Sequence, residues 1–108
     1  MQLSQAEFIQ KDKLQYQVKG TVDFSTAPNL IKQAMTFFRA DKQTEMTKVA
    51  VDLSKIVTSN SAGLALMLEM VKDAKINNID VKFTDLPDSL LTIAKAYGVE
   101  SEIRDISQ

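Results

Sequence analysis

The sequence predicts a small α/β domain: a mixed central sheet of four to five strands with helices packed on it, in the order β-β-α-β-α-β-α. Three observations carry that reading. Leu14, Tyr16 and Val18 alternate with Gln15, Gln17 and Lys19, and a period of two with one wet face marks a strand of an antiparallel hairpin. Val49–Leu53 and Asp80–Thr84 are short strand-like runs separated by a long helix-periodic stretch, the pattern of two parallel strands joined by a crossover helix. The chain has 108 residues, of which 44% are apolar, enough for one core and one domain over residues 1–108.

The elements follow in order. Ala6–Gln10 and Leu14–Lys19 flank the polar turn Lys11-Asp12-Lys13. Gly20-Thr-Val-Asp-Phe24 leads to a first helix, which Ser25 or Thr26 can cap and whose first turn tolerates Pro28. Leu30, Ile31, Ala34, Met35, Phe37 and Phe38 give that helix its apolar stripe, ending near Arg39. After a polar loop from Asp41 to Lys48, Val49–Leu53 reads as a strand covered on both faces. Ser54–Ser59 reads as a loop, and a second helix runs from about Ser61 to Asn77. Asp80–Thr84 alternates as a strand. Pro87 and Asp88 open a third helix through Leu90, Leu91, Ile93, Ala94 and Tyr97, with Gly98 as its stop. The tail from Val99 to Gln108 adds a short edge strand or a final turn. No internal repeat, low-complexity tract or linker interrupts the pattern.

Composition removes whole classes of chemistry. With no Cys and no His, the chain cannot by itself build a Ser-His-Asp triad, a cysteine nucleophile, a thiolate or imidazole zinc site, or haem ligation. Thirteen basic against 14 acidic side chains give a net charge of −1, which argues against a nucleic-acid footprint. The opening Met1-Gln-Leu-Ser-Gln5 has neither a basic region nor a long apolar core, so no signal peptide is expected. No run approaches a membrane span. The expectation is a soluble cytosolic protein that is not an enzyme and takes no cofactor or metal.

One place stands out as a site. In Val57-Thr-Ser-Asn-Ser-Ala-Gly-Leu64, small hydroxyl and amide side chains lead straight into an apolar helix. The first amides of a helix lack partners and its dipole favours negative charge there, so Asn60 or Ser61 can accept from them, while Ala62 and Gly63 leave the backbone approachable. The corner is either a plain cap with a small-residue packing contact or a display of Ser61 for recognition or modification, where an added phosphate would meet the positive helix end. Within the second helix, Leu64, Met67, Leu68 and Val71 form the stripe expected on the sheet, and Leu66 and Met70 widen it. Such a wide arc signals deep burial or an exposed partner-binding face. Asp23 and Asp52 as paired carboxylates, and Asp85 and Asp88 around Leu86-Pro87, are better explained as turn and cap residues. Gly20, Gly63 and Gly98 match no phosphate-binding spacing, and Phe37, Phe38, Phe83 and Tyr97 sit at periodic core positions.

Val49-Ala-Val-Asp-Leu-Ser-Lys-Ile-Val57 followed by Asn60-Ser-Ala-Gly-Leu-Ala-Leu66 resembles the signature of STAS domains, and Gly20-Thr-Val-Asp23 is similar to that family's Gly-x-Leu-Asp element. The family includes anti-sigma factor antagonists, cytosolic domains of sulfate transporters and the MlaB subunits of a bacterial phospholipid-transport ABC complex. Leu91-Thr-Ile-Ala-Lys-Ala-Tyr-Gly-Val99 resembles a stretch of the MlaB type. That resemblance implies a cytoplasmic regulatory subunit, peripheral to the inner membrane, bound to an MlaF-like ABC-transporter ATPase. Through it the chain would meet an MlaE-like permease and an MlaD-like subunit, in an MlaFEDB complex that maintains outer-membrane lipid asymmetry. The partner-binding residues so implied are Thr58, Ser59, Asn60, Ser61, Ala62 and Gly63 of the loop, with Leu66 and Met70 of the second helix. The alternative within the family is an anti-sigma factor antagonist switched by phosphorylation of Ser61. Both types usually carry Asp before the hydroxyl residue, where this chain has Asn60.

Overall fold

The computed structural model describes residues 6–40 and 44–108; the opening segment read for a leader, and the start of the polar loop at 41–43, lie outside the described residues. The elements are β1 (Ala6–Asp12), β2 (Gln15–Val22), α1 (Ala27–Ala40), β3 (Thr47–Ser59), α2 (Ala62–Ile76), β4 (Ile79–Thr84), α3 (Asp88–Ala96) and α4 (Glu100–Asp105). The strands make one sheet in the order β1-β2-β3-β4. β1 and β2 pair antiparallel as the alternation predicts, and β2–β3 and β3–β4 pair parallel. The molecule measures 39 × 37 × 19 Å, and the short dimension matches one sheet plus one helix layer at roughly 10 Å each.

That two-layer form corrects the expectation that β3 is covered on both faces. Val49, Val51 and Leu53 are buried, while Ala50 and Asp52 between them are only half-buried. β4 repeats the pattern, with Ile79, Val81 and Phe83 inside and Asp80, Lys82 and Thr84 at the open face. The run looked continuous in sequence because a small alanine occupies the wet position.

The core is one cluster between the sheet and the helices. Its aromatic end brings together Phe8 of β1, Tyr16 of β2 and Phe37 and Phe38 of α1. Phe8 and Tyr16 stack at 5.2 Å between centroids, and Phe38 meets Tyr16 edge-on at 5.6 Å. α1 begins with a reciprocal clasp. The Asp23 carboxylate accepts the Ser25 and Thr26 N–H groups at 2.8 and 3.1 Å, and the Thr26 hydroxyl accepts the Asp23 N–H at 2.9 Å while donating to the Thr21 carbonyl. At the outer edge of β1, the Gln33 side chain reaches from α1 to accept the Phe8 N–H at 2.8 Å.

Two further expectations are corrected. Residues 54–59 are not a loop: β3 continues to Ser59, paired with β2 through Val22↔Ser59. Register shifts between Gln17 and Lys19 and between Gly20 and Thr21 insert unpaired residues into β3, and such bulges break the alternation that marks a strand. The tail forms a helix, α4, which the sequence reading did not include. Four charged residues around a lone apolar Ile103 give too short a period to read, although Ile103 is fully buried. Beyond it there is one parallel bridge in place of an edge strand. The Phe83 N–H donates to the Ile106 carbonyl, and the Gln108 N–H to that of Phe83, each at 2.8 Å. Gly98 ends α3 as expected, at φ 74°. Its N–H donates to Lys95 and that of Val99 to Ala94, the paired bonds that a left-handed cap residue permits.

Candidate functional site

The corner between β3 and α2 is held by backbone on one side and by an amide on the other. Val22 pairs with Ser59, and the Asn60 N–H donates to the Val22 carbonyl at 3.3 Å. The Asn60 Oδ1 accepts the Ala62 N–H at 2.8 Å, satisfying one of the free amides at the helix start. Of the two candidate capping side chains it is therefore Asn60 that works. Ser61 holds the cap position with φ −61° and ψ −18° and makes no side-chain cap bond. Its half-buried hydroxyl is left uncommitted to the helix. Thr58 and Asn60 are exposed and Ser59 is half-buried.

The other expected members of the site are inside. Ala62, Leu66 and Met70 are 1%, 3% and 2% exposed, and Gly63 is buried as well. Of the two readings of the wide arc, deep burial holds at Leu66 and Met70, and an exposed partner-binding face there is corrected. α2 packs against α1, β4 and α3, so its wide apolar arc reflects contact on three sides. Gly63 sits where the helix start meets α3: a Cβ there would collide with the Ser59 hydroxyl and come within 2.8 Å of Leu90 Cδ2. The glycine at 63 serves this approach between helices, and with Ala62 buried as well neither residue opens the backbone to a partner.

What the corner does expose was missed in sequence. Leu68, assigned to the sheet-facing stripe, is 42% exposed and lies on the same helical face as Ser61 and Ala65. Val57 falls between Ile56, opposite Gly20, and Thr58, opposite Thr21; as the bulged residue it turns outward and is 75% exposed. Phe24, two residues past Val22, is 71% exposed at the same end of the sheet. The only sequence signal for Val57 would have been the broken alternation after Leu53.

The paired-carboxylate idea finds no support. Asp23 lies six residues beyond Gln17 along β2, whereas Asp52 pairs beside Gln17, which separates the two by roughly 20 Å at strand spacing. Each is spent locally. The hydroxyl and N–H of Ser25 hold the Asp23 carboxyl below its ordinary range, with the Thr26 N–H adding to this. At Asp52 burial pushes the carboxyl up, but donation from the Ser54 N–H at 2.8 Å, the Gln17 amide at 3.0 Å and the Ser54 hydroxyl, with a contribution from Asp85, outweighs it and the net shift is down. A carboxyl with a lowered folded-state value stabilises the fold above its unfolded value, here 3.8, and loses that contribution as pH falls through the folded value. Asp52→Asn is therefore expected to cost about 1 kcal/mol at neutral pH. Urea midpoints of the two proteins should draw together as pH falls below 3.8; a gap that stays constant with pH would contradict this. Among the described residues no helix is long and apolar enough to cross a membrane, and no three acidic side chains gather as metal ligands would.

Comparison with known proteins gives the corner a context. The family described as Mlab, STAS domain, matches residues 9–105. Among solved structures, the anti-sigma factor antagonist SpoIIAA in its unphosphorylated form superposes with a TM-score of 0.68, covering 95% of this chain and 85% of that one at 8% identity. At that identity the likeness speaks for the fold, a four-stranded mixed sheet with helices.

Proposed function

The chain belongs to the MlaB-type STAS domain family, and on that premise we propose that it is a non-enzymatic regulatory and assembly subunit that docks on the cytoplasmic ATPase of a phospholipid-transport ABC complex. Domains of this family are generally regulatory or binding modules. The observation that carries the reading is the corner itself: the uncommitted Ser61 hydroxyl among Thr58, Ser59 and Asn60, with Phe24, Val57 and Leu68 exposed on the three chain segments that meet there. A surface of exposed apolar residues around small polar groups has the composition of a protein contact. A small subunit alters ATP turnover when it binds one conformation of the ATPase better than another. Association with the inner membrane, through an MlaE-like permease and an MlaD-like subunit, follows from that docking.

Affinity purification of the chain from its native cell tests the proposal. An MlaF-like ATPase with its permease should co-elute, and Ser61→Asp, which leaves the core untouched, should lose both while keeping its thermal midpoint. Retention of the ATPase by Ser61→Asp would remove the corner from the interface.

A second reading is favoured by the same free hydroxyl: an anti-sigma factor antagonist in which a partner kinase phosphorylates Ser61. The phosphate would face the N-terminal end of α2, where the helix field favours negative charge. Co-elution of a small GHKL-type kinase, and a gain of one phosphate at Ser61 by mass spectrometry after incubation with it and ATP, would establish this reading in place of the first.

A further inference from the structure

Resting on the docking reading, we propose that the partner's contact surface is acidic, and that Lys72 and Lys75 of α2, with Lys32 of α1, steer it onto the corner. α1 contains no Asp or Glu, and its exposed polar side chains are Asn29, Lys32, Thr36 and Arg39. On α2 the outward face runs through Ser61, Ala65, Leu68, Lys72, Lys75 and Ile76, again without an acidic residue; Glu69 stands half-buried at its border. α1 and α2 pack side by side, so their outer faces form one cationic surface that begins at the corner. Arg39 is already engaged, its guanidinium 3.6 Å from the buried Asp73 carboxylate. Lys32, Lys72 and Lys75 form no ion pair among the described residues. Acidic side chains gather elsewhere, at Asp85 and Asp88 before and at the start of α3 and at Glu100, Glu102 and Asp105 of α4, where Lys95 and Arg104 offset part of the charge. The face that flanks the exposed Leu68 is thus positive although the chain as a whole has a net charge of −1.

Unpaired like charges around an apolar anchor gain from an opposed surface, and at a rim they act chiefly on the rate of encounter. An acidic protein surface suits this face better than an anionic bilayer. Among the described residues Leu68 and Ile76 are the only exposed large apolar side chains on it, too few for an inserted helix face, and three lysines alone hold a bilayer weakly.

The test is stopped-flow association of the full chain with the purified MlaF-like ATPase. Lys72→Glu/Lys75→Glu, both exposed positions, should lower the association rate about tenfold at low salt and leave dissociation nearly unchanged. The wild-type rate should fall as ionic strength rises from about 0.01 to about 1 M, where the screening length shrinks from roughly 30 to 3 Å, and the variant's should not. Equal, salt-independent rates for the two proteins, with Leu68→Asp still abolishing the complex, would overturn the charge inference alone. An ATPase that binds none of the three proteins would overturn the docking reading as well. Lysine-dependent co-sedimentation of the chain with phosphatidylglycerol vesicles, without a lysine effect on the ATPase, would replace the acidic protein surface by a lipid one.

Discussion

Leu66→Asp is expected to unfold the domain, whereas Leu68→Asp, two residues along the same helix, leaves it folded and removes partner binding. Leu66 is 3% exposed within the core, so an aspartate there either loses its charge or holds it without a partner in an apolar site. Either outcome costs several kcal/mol, on the order of 5, against a total of roughly 5–15 kcal/mol for an ordinary domain. Leu68 is 42% exposed, and a charge there stays in water. If Leu68 anchors the contact, its loss should weaken binding by at least about 2 kcal/mol, or roughly thirtyfold. Far-ultraviolet circular dichroism with urea titration reads the first effect, and titration calorimetry against the ATPase reads the second. A folded Leu66→Asp would show that this face of α2 is not buried, and a Leu68→Asp that binds normally would remove Leu68 from the contact.

Phe38→Ala should be the most damaging truncation at the aromatic end of the core. The ring is fully buried and makes edge-on contacts with Tyr16 at 5.6 Å and Phe8 at 6.0 Å. Removing it deletes the transfer energy of the ring and leaves a cavity between α1 and the β1–β2 hairpin, costing about 3–5 kcal/mol. Phe24→Ala, at a residue 71% exposed, should stay within about 0.5 kcal/mol of wild type. Urea midpoints compared at fixed slope measure both. A Phe38→Ala loss below about 1 kcal/mol would mean that α1 repacks onto the hairpin, which the tight interlocking of four rings opposes.

The parts of this fold that could be read in advance are those where one local rule operates unopposed. The β2 alternation, the Pro87–Gly98 frame of α3 and the apolar stripe of α1 each follow from side-chain period or turn chemistry alone. Where two rules compete, the reading slips. The distal half of β3 is polar and bulged, so its backbone pairs as a strand while its side chains follow loop statistics. α4 is marked by one buried isoleucine, which no periodicity can register. At the site, the location of the corner and the exposure of Thr58 and Asn60 were legible, because they depend on residues adjacent in sequence, whereas the sequence leaves open the choice of Asn60 over Ser61 as the cap. The exposure of Leu66, Met70 and Leu68 was not legible: it depends on the angle at which α2 meets α1 and α3, set by the close approach at Gly63 and Leu90. A helix contacted on three sides and a helix with a broad docking face carry the same string of apolar residues.

Each margin of the sheet is already occupied at one position, by the Gln33 amide against Phe8 on one side and by residues 106–108 against Phe83, near the end of β4, on the other. A visiting chain that sought to extend the sheet would first have to displace bonds the domain makes with itself. On the docking reading, recognition then falls to side chains on the helical side and not to main-chain pairing, which any extended peptide can supply. Discrimination between related clients then becomes a matter of a few surface substitutions, with the scaffold beneath left unchanged.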